Sequence, residues 1–141
     1  MSHSAVTDWG LEQVAIGQCF TTLDVGCGGG RTIQKLTSVA TEGKVNGLDY
    51  AKGCIAAART KNTGLIESGR IEIRYGTVSQ LPFASASFDL VTAVETQYYG
   101  PELKSDMREV LRVLNLAATC HCGGIQEGCL QCHAAPYHEA P

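Results

Sequence analysis

Apolar residues along the chain fall into two alternating rhythms. Residues 21–25, TTLDV, are a β-branched apolar run that stops at GCGGG, the pattern of a buried strand ending in a tight turn. Residues 31–40, RTIQKLTSVA, place Ile33, Leu36 and Ala40 on one helical face, and Gly43 ends that helix. KVNGLD reads as a second short strand. From Lys52 to about Glu67 the chain is alanine-rich, with Ile55, Ala58 and Leu65 at helical spacing. Residues 70–75, RIEIRY, alternate as a strand does. After a turn at Pro82 within LPF, residues 88–94, FDLVTAV, form a fourth apolar strand. Pro101 suits the first turn of a further helix, with Leu103, Met107, Val110, Leu111 and Leu114 along one face. Ahead of these elements, residues 3–18 predict an N-terminal helix with Trp9, Leu11, Val14 and Ile16 on its apolar side.

Strands alternating with helices imply parallel strands joined by crossovers. The expected class is α/β and Rossmann-like, a mostly parallel sheet with helices on both faces. After Leu114 neither rhythm continues, although such a sheet normally goes on to another strand.

Composition narrows this picture. A chain of 141 residues is one domain by size and long enough for a real core. With 44% hydrophobic and 18% charged residues it is not a disordered composition. A formal charge of -3 argues against a general binder of nucleic acid or anionic membranes. No apolar run reaches about 18 residues, and MSHSAVTDWGLEQ lacks the basic start and apolar stretch of a secretory signal. The expectation is a cytoplasmic protein with no membrane and no nucleic-acid partner. Its oligomeric state is not encoded legibly.

The chemistry starts at the glycines. A strand that ends in a glycine-rich turn and opens a helix lets backbone approach a ligand closely and presents free N–H groups to it. A carboxylate about 20 residues later, ending the second strand, can accept both hydroxyls of a ribose. Asp49 stands there, so an adenosine-containing ligand is expected. Gly26, Gly28 and Gly30 spell G-x-G-x-G, and Arg31 occupies the place of the last dinucleotide glycine. There is no G-K-[ST], so the loop is not a P-loop.

LDVGCGGGRT resembles the first motif of class I S-adenosylmethionine-dependent methyltransferases, and the likeness continues along the chain. GLDYA resembles the second motif. GTVSQLPFASASFDLVTAVET resembles the segment from the adenine-binding loop to strand four, with LPF…FDLV typical of small-molecule methyltransferases of the ubiquinone-biosynthesis and type 11 kind. DMREVLRVL resembles the helix after strand four. The likeness covers residues from about 21 to 114, in order and at proper spacing.

The resemblance implies S-adenosylmethionine as cofactor and a small-molecule methyl acceptor as partner. Asp24, Gly26, Cys27, Gly28 and Gly30 would line the methionine part of the cofactor. Asp49 and Tyr50 would hold the ribose and flank the adenine. Thr77 and Val78 sit where the family often has an Asp followed by an apolar residue. Without that Asp, the adenine contact would rest on backbone N–H or the Thr77 hydroxyl. Glu95 and Thr96, just past strand four, would face the methyl-transfer site, with Glu95 the candidate general base. Several readings stay open at this point. Asp24 can instead cap the loop, Glu95 can be structural, and Gln97, Tyr98 and Tyr99 can shape an acceptor pocket or only pack.

The last segment is unlike the rest. Of 7 cysteines, Cys120, Cys122, Cys129 and Cys132 crowd the end of the chain, beside His121 and His133. Two short Cys pairs with neighbouring His can be read as a zinc site and a non-enzymatic binding module. Another adenosine-cofactor enzyme is a further alternative. The family offers a different account of the tail: after RVL its members continue KPGG and an apolar strand. Codons for Asn115 to Thr119 shifted by one base permit KPGGNL, and the shift carried onward permits VIVAEYKKGAYNAMQRPIMKL. The expectation is a cofactor-binding domain over residues 1–114, without the last strands of the family sheet. Residues 115–141 are then an irregular tail translated out of frame, and this truncated chain is expected to bind cofactor weakly or not at all and to show no robust turnover. A divergent genuine tail is the third possibility.

Overall fold

The computed structural model describes residues 3–94 and 102–116. Helix α1 (His3–Glu12) precedes β1 (Thr22–Val25), α2 (Arg31–Val39) and β2 (Val45–Asp49). Then come α3 (Lys52–Lys61), α4 (Thr63–Glu67), β3 (Ile71–Tyr75), β4 (Leu90–Thr92) and α5 (Leu103–Val113). The four strands form one sheet in the order β3-β2-β1-β4, and every pairing is parallel. This is the α/β class with the parallel strands that the sequence pattern predicts.

Every residue of β1 and β2 is buried, as expected of central parallel strands covered on both faces. Two apolar clusters lie on the two faces. One joins Ile33 and Leu36 of α2 and Ile55 and Ala58 of α3 to Val45, Ile71 and Ile73 of the sheet. The other joins Leu23, Val25 and Leu48 to Leu81, Phe88 and Val113. Gly47 in the middle of β2 is there for space: a Cβ would stand 2.4 Å from Ile33 Cδ1 and 3.1 Å from Cys27 Sγ. Arg70, just before β3, closes the far end of α2 by donating to the carbonyls of Ala40 and Gly43.

Four expectations need correction. The N-terminal helix ends at Glu12 rather than at residue 18; Trp9 and Val14 are exposed, while Leu11 and Ile16 pack on the first cluster. Trp9 and Leu11 are about 200° apart around a helix, so no single face can bury both. The helix expected from Lys52 to Glu67 is broken at Asn62, whose buried amide donates to the Ala58 carbonyl at 2.8 Å. The fourth strand shrinks from 88–94 to Leu90–Thr92. Phe88 instead makes an isolated parallel bridge to Leu114. In α5 the buried positions are Asp106 and Val113, with Val110 partly buried, while Leu103, Met107 and Leu111 face outward.

Candidate functional site

Strands β1 and β2 end side by side, and the glycine loop rises from the first toward the second. Gly26, Gly28 and Gly30 have φ of 72°, 51° and 85°, a region costly for any residue with a Cβ. The N–H groups of Gly26 and Cys27 both donate to the Leu48 carbonyl, at 2.7 and 3.0 Å. A Cβ on Gly28 or Gly29 would meet nothing within 4 Å, so the outer loop borders open space. One on Gly30 would meet Asn62 Nδ2 at 2.8 Å and Ala58 at 3.1 Å. The loop is therefore open where a ligand would approach and tight where helix must meet helix.

Asp49 ties the loop to the second strand. Its Oδ2 accepts from the Gly28 N–H at 2.9 Å and its Oδ1 from the Ala51 N–H at 2.8 Å. Each carboxylate oxygen has acceptor capacity left. Tyr50 beside it is exposed. The Gly76 N–H donates to the Asp49 carbonyl at 3.0 Å, which brings Thr77 and Val78 to the same end of the sheet. Thr77 bridges Gln80, and Val78 packs on the second cluster.

Asp24 lies deeper. It is 2% exposed, and Oδ1 accepts from the Thr92 hydroxyl at 2.7 Å. Burial pushes its carboxyl up to about 7; the Thr92 bond opposes the rise and the Asp49 charge adds to it. Burial, followed by the charges of Asp24 and Asp49, pushes the Cys27 thiol up to about 12. Cys27 is thus a neutral packing group in the loop at physiological pH, not a thiolate nucleophile.

The sequence reading missed an ion pair that holds the loop of residues 81–83. On α5, Glu109 accepts from the Leu81 N–H at 2.9 Å, and Arg112 donates to the carbonyls of Leu81 and Phe83 at 3.0 and 2.9 Å. Arg112 pairs with Glu109 at 2.8 Å and holds its carboxyl below the usual range. From the other side, Arg74 donates to the Pro82 carbonyl at 2.8 Å and sits 4.9 Å from the Phe83 ring centre. Glu109 and Arg112 are the polar letters of DMREVLRVL, so the signal lay inside a motif already singled out. Thr92 was equally visible in FDLVTAV.

The sequence therefore places Asp24, Gly26, Cys27, Gly28, Gly30, Asp49, Tyr50, Thr77 and Val78 around one end of the sheet. Glu95, Thr96, Gln97, Tyr98 and Tyr99 lie outside the described residues, as do Cys120, Cys122, Cys129, Cys132, His121 and His133. Among the described residues no cluster of His, Cys, Asp or Glu is arranged to hold a metal ion. Nor is any helix among them long and apolar enough to cross a membrane.

A parallel sheet with a positive-φ glycine loop after β1 and an acid ending β2 defines a Rossmann-like α/β protein. The family described as a methyltransferase domain matches residues 23–121, and the chain belongs to it. An O-methyltransferase of Pyrenophora dematioidea is 34% identical over 94 residues, 65% of this chain and 34% of that protein. A demethylmenaquinone methyltransferase of Oceanobacillus iheyensis is 32% identical over 103 residues, 72% of this chain and 43% of that protein. Among solved structures, a SAM-dependent methyltransferase from Aquifex aeolicus superposes with a TM-score of 0.69 at 22% identity, over 78% of this chain and 58% of that one. A geranyl diphosphate methyltransferase in complex with SAM gives 0.72 at 20% identity, over 80% and 45%. The chain spans a third to a half of the length of these curated relatives.

Proposed function

We propose that this chain binds S-adenosylmethionine across the glycine loop, and that the protein it represents transfers the methyl group to a small-molecule acceptor. The observation that carries this reading is the Asp49 carboxylate, bonded to the Gly28 and Ala51 N–H groups with acceptor capacity left over, beside a loop face where Cβ atoms would meet open space. That arrangement fits an adenosyl group with a free diol. Tyr50, Thr77 and Val78 suit the adenine side, and Asp24 with Gly26, Cys27, Gly28 and Gly30 the methionine side.

When bound, the sulfonium supplies an activated methyl group, so the chain's own residues need to orient and enclose more than to activate. Asp49 orients the sugar, the loop N–H groups fix the backbone around the ligand, and Asp24 offers a buried acceptor. Glu95, next along the chain from β4, is our candidate to take a proton from an acceptor that must lose one. The acidic net charge and the demethylmenaquinone methyltransferase relative favour a small-molecule acceptor over nucleic acid. We read residues 1–114 as the cofactor-binding unit and 115–141 as out-of-frame translation, which a clean genomic read through the Leu114 codon tests.

Calorimetry with S-adenosylhomocysteine tests the cofactor reading on the full chain. Micromolar binding is expected, weakened about tenfold or more in Asp49→Ala with the far-ultraviolet spectrum retained. No binding by the wild-type chain, or unchanged affinity in the variant, overturns it.

A further inference from the structure

Asp24 and Thr92 are direct partners across the β1–β4 pairing, on two strands that carry the site. The same layer of the sheet holds Gly47 opposite Asp24 on β2, where the absent side chain leaves room for Cys27. The Thr92 hydroxyl has two acceptors within reach: Asp24 Oδ1 at 2.7 Å and the Leu23 carbonyl at 3.4 Å. A hydroxyl donates one proton and can also accept one. With Asp24 ionised, Thr92 donates to the carboxylate. With Asp24 protonated, the carboxyl donates to Thr92, whose own proton turns to the Leu23 carbonyl. The pair is satisfied in both states, which an apolar neighbour would not permit.

We propose that Thr92 is a positioning residue that aims the Asp24 carboxylate at the cationic α-ammonium end of the cofactor and sets the pH at which that carboxylate is available. This rests on the cofactor reading above.

The surroundings favour a switch near neutrality. Among the described residues, the charged or titratable groups that act on Asp24 are Asp49 at the end of β2 and Cys27 in the loop. Asp49 disfavours a second anion, and Cys27 stays neutral. Burial also favours the protonated form, leaving the Thr92 bond as the one contribution that favours the anion. An incoming ammonium group adds to that side. Below about pH 7, binding of a ligand with an α-ammonium therefore drives one proton from Asp24 into solvent.

The test uses the full chain, labelled with 13C at aspartate carboxyls. In the ligand-free protein Asp24 is expected to titrate near 7. The midpoint should move up by about one pH unit in Thr92→Val and return in Thr92→Ser. Thr92→Ala serves the same purpose if valine disturbs the strand. S-adenosylhomocysteine affinity should weaken as pH drops below the same midpoint, and that weakening should set in at higher pH in Thr92→Val. Asp24→Asn should flatten the profile at its weak, low-pH level. A merely structural Thr92 would lower stability and leave the midpoint in place. An unmoved midpoint, or a pH profile of binding unchanged in Thr92→Val, overturns the proposal. Absence of S-adenosylhomocysteine binding by the wild-type chain at every pH overturns the cofactor reading itself, and with it the role given to Asp24; the carboxyl titration separates that failure from a failure of the Thr92 pairing.

Discussion

Position 24 holds a carboxylate where packing alone would favour an apolar side chain. Its folded-state value of about 7, against an ordinary 3.8, means that the folded chain binds this proton more tightly than the unfolded one. The contribution to stability is full below the ordinary value, falls as pH rises between 3.8 and about 7, and is level beyond. The total is on the order of 4 kcal/mol. Asp24→Asn cannot ionise, so its urea midpoint should exceed that of the wild type at about pH 8 and match it near pH 4. A variant less stable at the higher pH would contradict the account. Asp49 differs in its partners: its carboxylate accepts from two backbone N–H groups, those of Gly28 and Ala51.

At the scale of elements, α5 acts on a loop it does not adjoin in sequence. Glu109 and Arg112 read the backbone of residues 81–83 as a matched donor and acceptor. Glu109→Gln and Arg112→Met should speed amide exchange over residues 77–83 and weaken S-adenosylhomocysteine binding about three- to tenfold, with α2 and α3 unaffected. Equal exchange in variant and wild type would show that the loop holds itself. The same pair explains why the apolar face of α5 was misjudged. Leu103, Met107 and Leu111 recur at helical spacing, but the helix is turned so that Glu109 and Arg112 reach the loop and Val113 meets the core. Periodicity identified the helix; its rotation depended on polar contacts far away in the chain. Asn62 was opaque for a similar reason, since its break in the helix serves the packing of Gly30.

For the whole molecule, the parallel sense of the strands was legible because apolar runs alternate with helical stretches and allow few topologies. Asp49 and the glycines were legible because their role is local: a turn needs positive φ, and an acid ends the next strand. Thr92 acts across the β1–β4 pairing, and Glu109 and Arg112 act on the loop of residues 81–83; linear spacing does not reveal such partners. The sheet is graded in burial from fully covered β1 and β2, through β3 with alternate positions buried, to the half-buried β4. Native-state amide exchange should follow that gradient, slowest in β1 and β2 and fastest in β4. Equal protection of β4 and β1 would mean that the side of β4 away from β1, unpaired among the described residues, is covered.

The bond between Gly28 and Asp49 reaches into how the protein can be redesigned. In the proposed site one side chain is both the hook for a sugar and the latch of the loop. An engineer who exchanges it to admit a different nucleoside therefore also releases the backbone that the rest of that nucleoside must rest on. Specificity here can be rewritten only in pairs, a new residue at position 49 together with a loop that no longer needs its hold.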